Sequence, residues 1–152
     1  MTRVAIIGPG RLGGLVAAAC VRAGHPVVAV AGGSADARAA FVGRIAGCRD
    51  AATPAEALGR AELVLLTVPD DAIGAVADAL ARDDAIVEGQ RVVHLAGAHG
   101  IAPLRRAGLA GARVAACHPA MTVPSGATDP DLLVGAAWAV TAAPADRGWA
   151  EG

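Results

Sequence analysis

Apolar residues in this chain come in short runs, and most runs are followed by a longer stretch with helical spacing. "RVAIIG" (3–8) has four consecutive apolar residues with no polar alternation, which predicts a strand buried on both faces. "RLGGLVAAACVRAG" (11–24) has helical spacing and a glycine stop at Gly24. "VVAVAG" (27–32) predicts the next strand, and "SADARAAFVGRIA" (34–46) the next helix with Ser34 as its N-cap. A weak third strand near "CRDA" (48–51) precedes a short helix from "TPAEAL" (53–58). "AELVLLTVP" (61–69) is the strongest strand pattern, followed by a helix over "DDAIGAVADALA" (70–81) for which Asp70 or Asp71 is the expected cap. "RVVHLAG" (91–97), "ARVAACHP" (112–119) and "AAWAVTA" (136–142) complete the strands, with "IAPLRRAG" (101–108) a short helix between the first two. "MTVPSGATDPD" (121–131) is the longest irregular segment. This alternation predicts an α/β fold: one domain over residues 1–152, a doubly wound, mostly parallel sheet with helices on both faces.

Composition sharpens that picture. Hydrophobic residues make up 55% of the chain and aromatics only 2%, so the core must come from Val, Leu, Ile and Ala with close backbone packing. A net charge of −1 gives no electrostatic case for nucleic acid or an anionic membrane. The apolar runs fall short of the roughly 20 residues that a membrane span needs. Met1 leads directly into "RVAIIGPG", which leaves no room for a signal peptide, and Cys20, Cys48 and Cys117 form no CxxC pair. A reduced, cytoplasmic protein is the expectation.

Candidate chemistry begins at Gly8-Pro9-Gly10-Arg11-Leu12-Gly13, which reads G-x-G-x-x-G between the first strand and the first helix. Gly8 suits a tight turn, Gly10 a close approach of backbone to a pyrophosphate, and Gly13 close packing of helix on strand. The following helix offers free N–H groups and its positive dipole end to phosphates. An NAD site would carry an acid at the end of the second strand to bind the ribose 2′-OH. The equivalent residues here are Gly32, Gly33 and Ser34, with Asp36 later, in the first helical turn. The missing acid removes a barrier to a 2′-phosphate. Ser34 can donate a hydrogen bond, and Arg38 or Arg11 can supply positive charge, so NADP is expected ahead of NAD.

Ligands of open α/β sheets bind outside the carboxyl ends of the strands. Those ends also include Val68-Pro69-Asp70, Gly97-Ala98-His99 and His118-Pro119. His99 and His118 are the candidate groups for orienting a carbonyl or relaying a proton. His25 falls in a turn on the opposite edge and His94 inside a strand, where a satisfied core histidine is expected. Cys117 and His118 are adjacent on a strand and point to opposite faces, so they form no metal pair. No zinc-ligand spacing or G-x-S-x-G elbow occurs.

"GPGRLG", "TVPDDAI", "HLAGAHG", "CHPAMTV" and "GAAWAVTA", in this order, resemble a group of Rossmann-like oxidoreductases in the 6-phosphogluconate-dehydrogenase-like superfamily. Members of this group carry a C-terminal helical domain of unknown function. The resemblance spans residues 3 to about 150 and implies an NADP-binding domain with Gly8, Gly10, Arg11 and Gly13 at the phosphates. By the same resemblance, Val68, Pro69 and Asp70 lie along the cofactor, with His99 and His118 near the reacting end. The stretch from His118 to Thr141 is also similar to prephenate and arogenate dehydrogenases, and the general plan to ketopantoate reductases. This chain ends at Gly152, ten residues after its last predicted strand, so the expectation is either an isolated or truncated cofactor domain or one that a partner completes.

The leading expectation is thus the cofactor domain of an NADP-dependent dehydrogenase or reductase. Its substrate is a small carbonyl compound or hydroxy acid, and the chain works as a homodimer. The alternative from another class is a dinucleotide-binding sensor or subunit without catalysis.

Overall fold

The computed structural model describes all 152 residues. Seven strands form one sheet in the order β3-β2-β1-β4-β5-β6-β7, and only β7 runs antiparallel to its neighbour. They are β1 (Val4–Ile7), β2 (Val27–Ala31), β3 (Arg49–Asp50), β4 (Leu63–Leu66), β5 (Arg91–His94), β6 (Arg113–Pro119) and β7 (Trp138–Ala142). The helices are α1 (Arg11–Arg22), α2 (Ala35–Val42), α3 (Pro54–Leu58), α4 (Ile73–Arg82), α5 (Arg105–Leu109) and α6 (Arg147–Ala150). The doubly wound α/β sheet expected from the sequence is therefore the observed fold.

Successive residues of each central strand feed opposite cores. Ile7, Val64, Leu66 and Val92 pack under α3, α4 and α5, whereas Ile6, Leu65 and Val93 pack under α1 and α2. Alanines at Ala5, Ala29 and Ala31 are fully buried, so close backbone approach replaces side-chain volume. Phe41, the single phenylalanine, is fully buried under the α1–α2 side. Burial of such a ring stabilises by about 1.5–3 kcal/mol. No helix is long and apolar enough to cross a membrane.

Several elements are shorter than predicted, for local reasons. The second helix stops at Val42 because Gly43 caps it, leaving Arg44–Ala46 outside. β4 ends at Leu66; the Thr67 N–H still bonds the Ile7 carbonyl (2.8 Å), but Pro69 has no N–H to extend the ladder. The stretch from Ala102 divides after Leu104 into a 3₁₀ turn, Ala102–Leu104, and α5. Neither Asp70 nor Asp71 is the cap expected of it. Both lie inside a 3₁₀ turn, Asp70–Ala72, before α4, whose capping residue is Ala72, and no side chain closes either start. Their carboxylates still sit at the positive end of this helical stretch.

Beyond β6 the chain wraps around the molecule. A 3₁₀ turn at Pro130–Leu133 lies against α1, where Arg22 pairs with Asp131. α6 is pinned near the amino ends of β5 and β6. There the Trp149 ring lies 5.5 Å from the guanidinium carbons of both Arg91 and Arg113, and Asp146 accepts bonds from Trp149 (3.0 Å) and Arg113 (2.7 Å). These two bonds hold the Asp146 carboxyl below the usual carboxylate range.

Candidate functional site

β1 is the point where the order of strands reverses, since the chain winds outward to β2 and β3 and returns to β4 on its other side. The crevice between the ends of β1 and β4 is therefore where a doubly wound sheet opens to a ligand. A concavity of about 260 Å³ lies there, lined by Gly8, Pro9, Gly10, Gly33, Thr67 and Val68, among others.

Backbone geometry builds this crevice. Gly8 has φ +115°, and a β-carbon on it would stand 2.7 Å from the Thr67 carbonyl. Gly13 is buried so tightly that its β-carbon would meet the Gly8 oxygen at 2.2 Å. Gly10, by contrast, has no atom within 4 Å of the space that a β-carbon would take. It precedes α1 without a side-chain cap, and the first helical bond runs from the Gly14 N–H to the Gly10 carbonyl (2.9 Å). The N–H groups of Arg11, Leu12 and Gly13 lie ahead of that bond. Open space at Gly10 in front of free donors fits a phosphate-bearing ligand. Thr67, which sequence reasoning passed over, locks the turn by donating its hydroxyl to the Gly8 carbonyl at 2.7 Å.

At the end of β2, Gly32 and Gly33 both take positive φ (+80° and +64°), and a β-carbon on Gly33 would strike Pro9 at 2.9 Å. Ser34 caps α2 as expected, its Oγ accepting from the Ala37 N–H (3.2 Å). The hydroxyl proton stays free to donate. Arg38 is neither a free cation nor a freely solvated one. Its Nε donates to Asp50 at the end of β3 (2.6 Å), and its Nη1 donates to the Gly33 carbonyl (3.0 Å). Asp50 carries no signal of this role in the sequence, because only the β2–β3 register brings it opposite Val30. Nη2 and one Nη1 proton remain. Arg11 is exposed at the start of α1.

The second cluster lies at the ends of β5 and β6. His118 turns its Nδ1 to the Leu95 carbonyl (3.0 Å), and its ring fills the space in which Gly97 would carry a β-carbon (2.8 Å to Cδ2). Cys117 points the other way, into the α1-side core, as the alternation of a strand requires. His99 is exposed on the loop between β5 and the Ala102 turn. His94 is fully buried with both nitrogens engaged, the satisfied core histidine that the sequence suggested. His25 accepts the Thr2 N–H (3.0 Å) and serves a structural turn. No cluster of three His, Cys, Asp or Glu residues could hold a metal. The three cysteines are free, and burial raises the pKa of each thiol, Cys48 to about 11.

A second concavity of about 380 Å³ lies on the α1 face over β4–β6, lined mainly by apolar groups such as Val16, Leu65, Val93, Cys117 and Trp149. It contains neither the glycine turn nor His118.

The family described as a Rossmann-like domain matches residues 1–119. Among solved structures, the imine reductase of Streptomyces aurantiacus superposes with a TM-score of 0.66 at 29% identity, covering 80% of this chain and 42% of that one. Pyrroline-5-carboxylate reductase from Coxiella burnetii gives a TM-score of 0.72 at 18% identity, with 99% and 54% covered. A variant imine reductase from Myxococcus stipitatus, in complex with NAD+, gives 0.72 at 20% identity, with 98% and 50% covered. The last two likenesses establish the fold alone. This chain spans about half the length of these structures. No curated protein matches it.

Proposed function

Because the chain belongs to the Rossmann-like domain family, we propose that it is the dinucleotide-binding part of an NADP-dependent oxidoreductase. The observation that carries this reading is the crevice at the reversal of strand order. There an open Gly10 stands before the uncapped start of a twelve-residue helix. Phosphates would lie against the N–H groups of Arg11, Leu12 and Gly13, with Val68, Pro69 and Asp70 along the cofactor. The absence of an acid at the end of β2, the free Ser34 hydroxyl proton and the remaining Arg38 donors support NADP over NAD. When bound, the nicotinamide supplies or accepts the hydride.

In this reading His118 exchanges a proton with the substrate at Nε2, and His99 lies near the reacting end. The name of the Streptomyces neighbour, imine reductase, supports a small C=N compound as substrate beside the carbonyl compound or hydroxy acid expected from the sequence. Further parts of the site would come from a helical domain. A homodimer belongs to the same proposal, supported by exposed Leu132, Val134 and Trp138 beside and on the edge strand β7. A cytoplasmic location is supported by the three free thiols.

The test is a titration of the purified chain with NADPH and NADH, followed by nicotinamide fluorescence. Tighter binding of NADPH, reduced by Arg38→Ala, is the expected result. Binding of neither overturns the dinucleotide reading, and tighter binding of NADH overturns the NADP assignment.

A further inference from the structure

We propose that His94, buried beneath the loop after β5, is the positioning residue that sets which nitrogen of His118 can exchange a proton. The proposal rests on the reading of His118 as the acid–base group.

The Ala96 N–H donates to His94 Nδ1 (3.2 Å), and a ring nitrogen that accepts a hydrogen bond carries no proton. The proton of neutral His94 is therefore on Nε2, which donates to the Gly100 carbonyl. One imidazole thus ties down both ends of the loop from Leu95 to Gly100. Its side chain is fully buried, so both bonds are made away from water, where losing either would leave a polar group of the loop without its partner.

That loop is what His118 rests on. Leu95 supplies the carbonyl facing His118 Nδ1, and Gly97 supplies a bare backbone against the edge of the ring. A carbonyl only accepts, so Nδ1 must carry a proton. Neutral His118 is then left with a lone pair on Nε2. When His118 is protonated, the Leu95 bond is unchanged and Nε2 becomes a donor. Protons therefore enter and leave at Nε2 alone. A substrate atom facing neutral His118 must be a hydrogen-bond donor, such as a hydroxyl or a protonated imine.

The two histidines are linked by register. His94 pairs with Ala116, two residues before His118, so both side chains project from the same face of neighbouring strands. An apolar side chain at position 94 could fill the same space, but it could hold neither Ala96 nor Gly100. Fixing the tautomer of one histidine by a bond to its other nitrogen is a general way of directing imidazole chemistry.

The experiment is two-dimensional 1H–15N correlation of the histidine rings in the full chain labelled with 15N-histidine, recorded with His118 neutral. Wild type is expected to show neutral His118 as the Nδ1–H form and His94 as the Nε2–H form. In His94→Leu, with its fold checked by circular dichroism, the Nδ1–H signature of His118 should give way to a mixture including the Nε2–H form. His94→Gln can still donate to the Gly100 carbonyl and should restore part of the Nδ1–H signature. A folded His94→Leu protein whose His118 keeps the Nδ1–H form overturns the proposal. If that variant does not fold, His94→Gln decides: a folded His94→Gln protein whose His118 keeps the full Nδ1–H signature overturns the proposal, as does wild-type His118 found as the Nε2–H form. The readout needs neither cofactor nor substrate. A chain that shows the expected tautomers but binds no dinucleotide faults the proposed function. A chain that binds NADPH but has an insensitive His118 tautomer faults the positioning role.

Discussion

The glycine turn after β1 and the histidine loop after β5 both lie at the carboxyl edge of one sheet, yet they are held in opposite ways. At the turn, bare glycine backbone packs directly on its neighbours: Gly8 against the Thr67 backbone, Gly13 against the Gly8 carbonyl, and Gly33 against the Pro9 ring. Only the absence of a side chain allows these contacts. In the loop, shape comes from imidazole hydrogen bonds that reach from His94 to Ala96 and Gly100, and from His118 to Leu95. The first arrangement tolerates almost no added atom, while the second depends on particular nitrogen atoms being present. One resists change in volume and the other resists change in hydrogen bonding.

The sharpest way to break this contrast is at Gly13. A β-carbon there would lie 2.2 Å from a backbone oxygen, so Gly13→Ala should lose about 3 kcal/mol or more in urea unfolding. Gly10→Ala, with no atom within 4 Å of the added carbon, should unfold within about 0.5 kcal/mol of wild type while weakening dinucleotide binding. Equal stability losses at the two glycines would show that packing does not separate them. In the histidine loop, His94→Leu keeps the volume but strands two polar groups, and should cost about 2 kcal/mol by the same measurement. Little loss would mean that the loop is held by something other than its hydrogen bonds. Arg38→Ala should weaken NADPH about tenfold, or about 1.4 kcal/mol, with NADH unchanged in the same titration. Ser34→Ala should lose about 1 kcal/mol of thermal stability with the cap on α2.

The same contrast explains what could be read in advance. The glycine turn was legible because a backbone that needs positive φ or zero side-chain volume writes itself as glycine at fixed spacing. Ser34 was legible for a similar reason, since a cap bonds within its own first turn. The sheet was legible because its buried strands are continuous apolar runs. What escaped depends on which strands become neighbours. Asp50 meets Arg38 only through the pairing of β2 with β3, and Thr67 meets Gly8 across 59 positions of chain. Asp70 and Asp71 looked like caps because the helical pattern begins with them. The tighter 3₁₀ turn they form moves the start of α4 to Ile73. His118 could be placed at the carboxyl edge and His94 inside its strand, but the two could not be linked, because Leu95 joins them through its backbone.

The reversed direction of β7 has a practical consequence for handling the molecule. It carries the chain back to the amino edge, where Gly152 and Thr2 line the same apolar groove. The two ends could be joined by a short linker and the molecule reopened in the exposed stretch around Ser125, giving a circular permutant with its sheet order kept. Attachment to a sensor surface through either end would leave the carboxyl edge facing solution, with both the glycine turn and the histidine loop accessible to a ligand in flow.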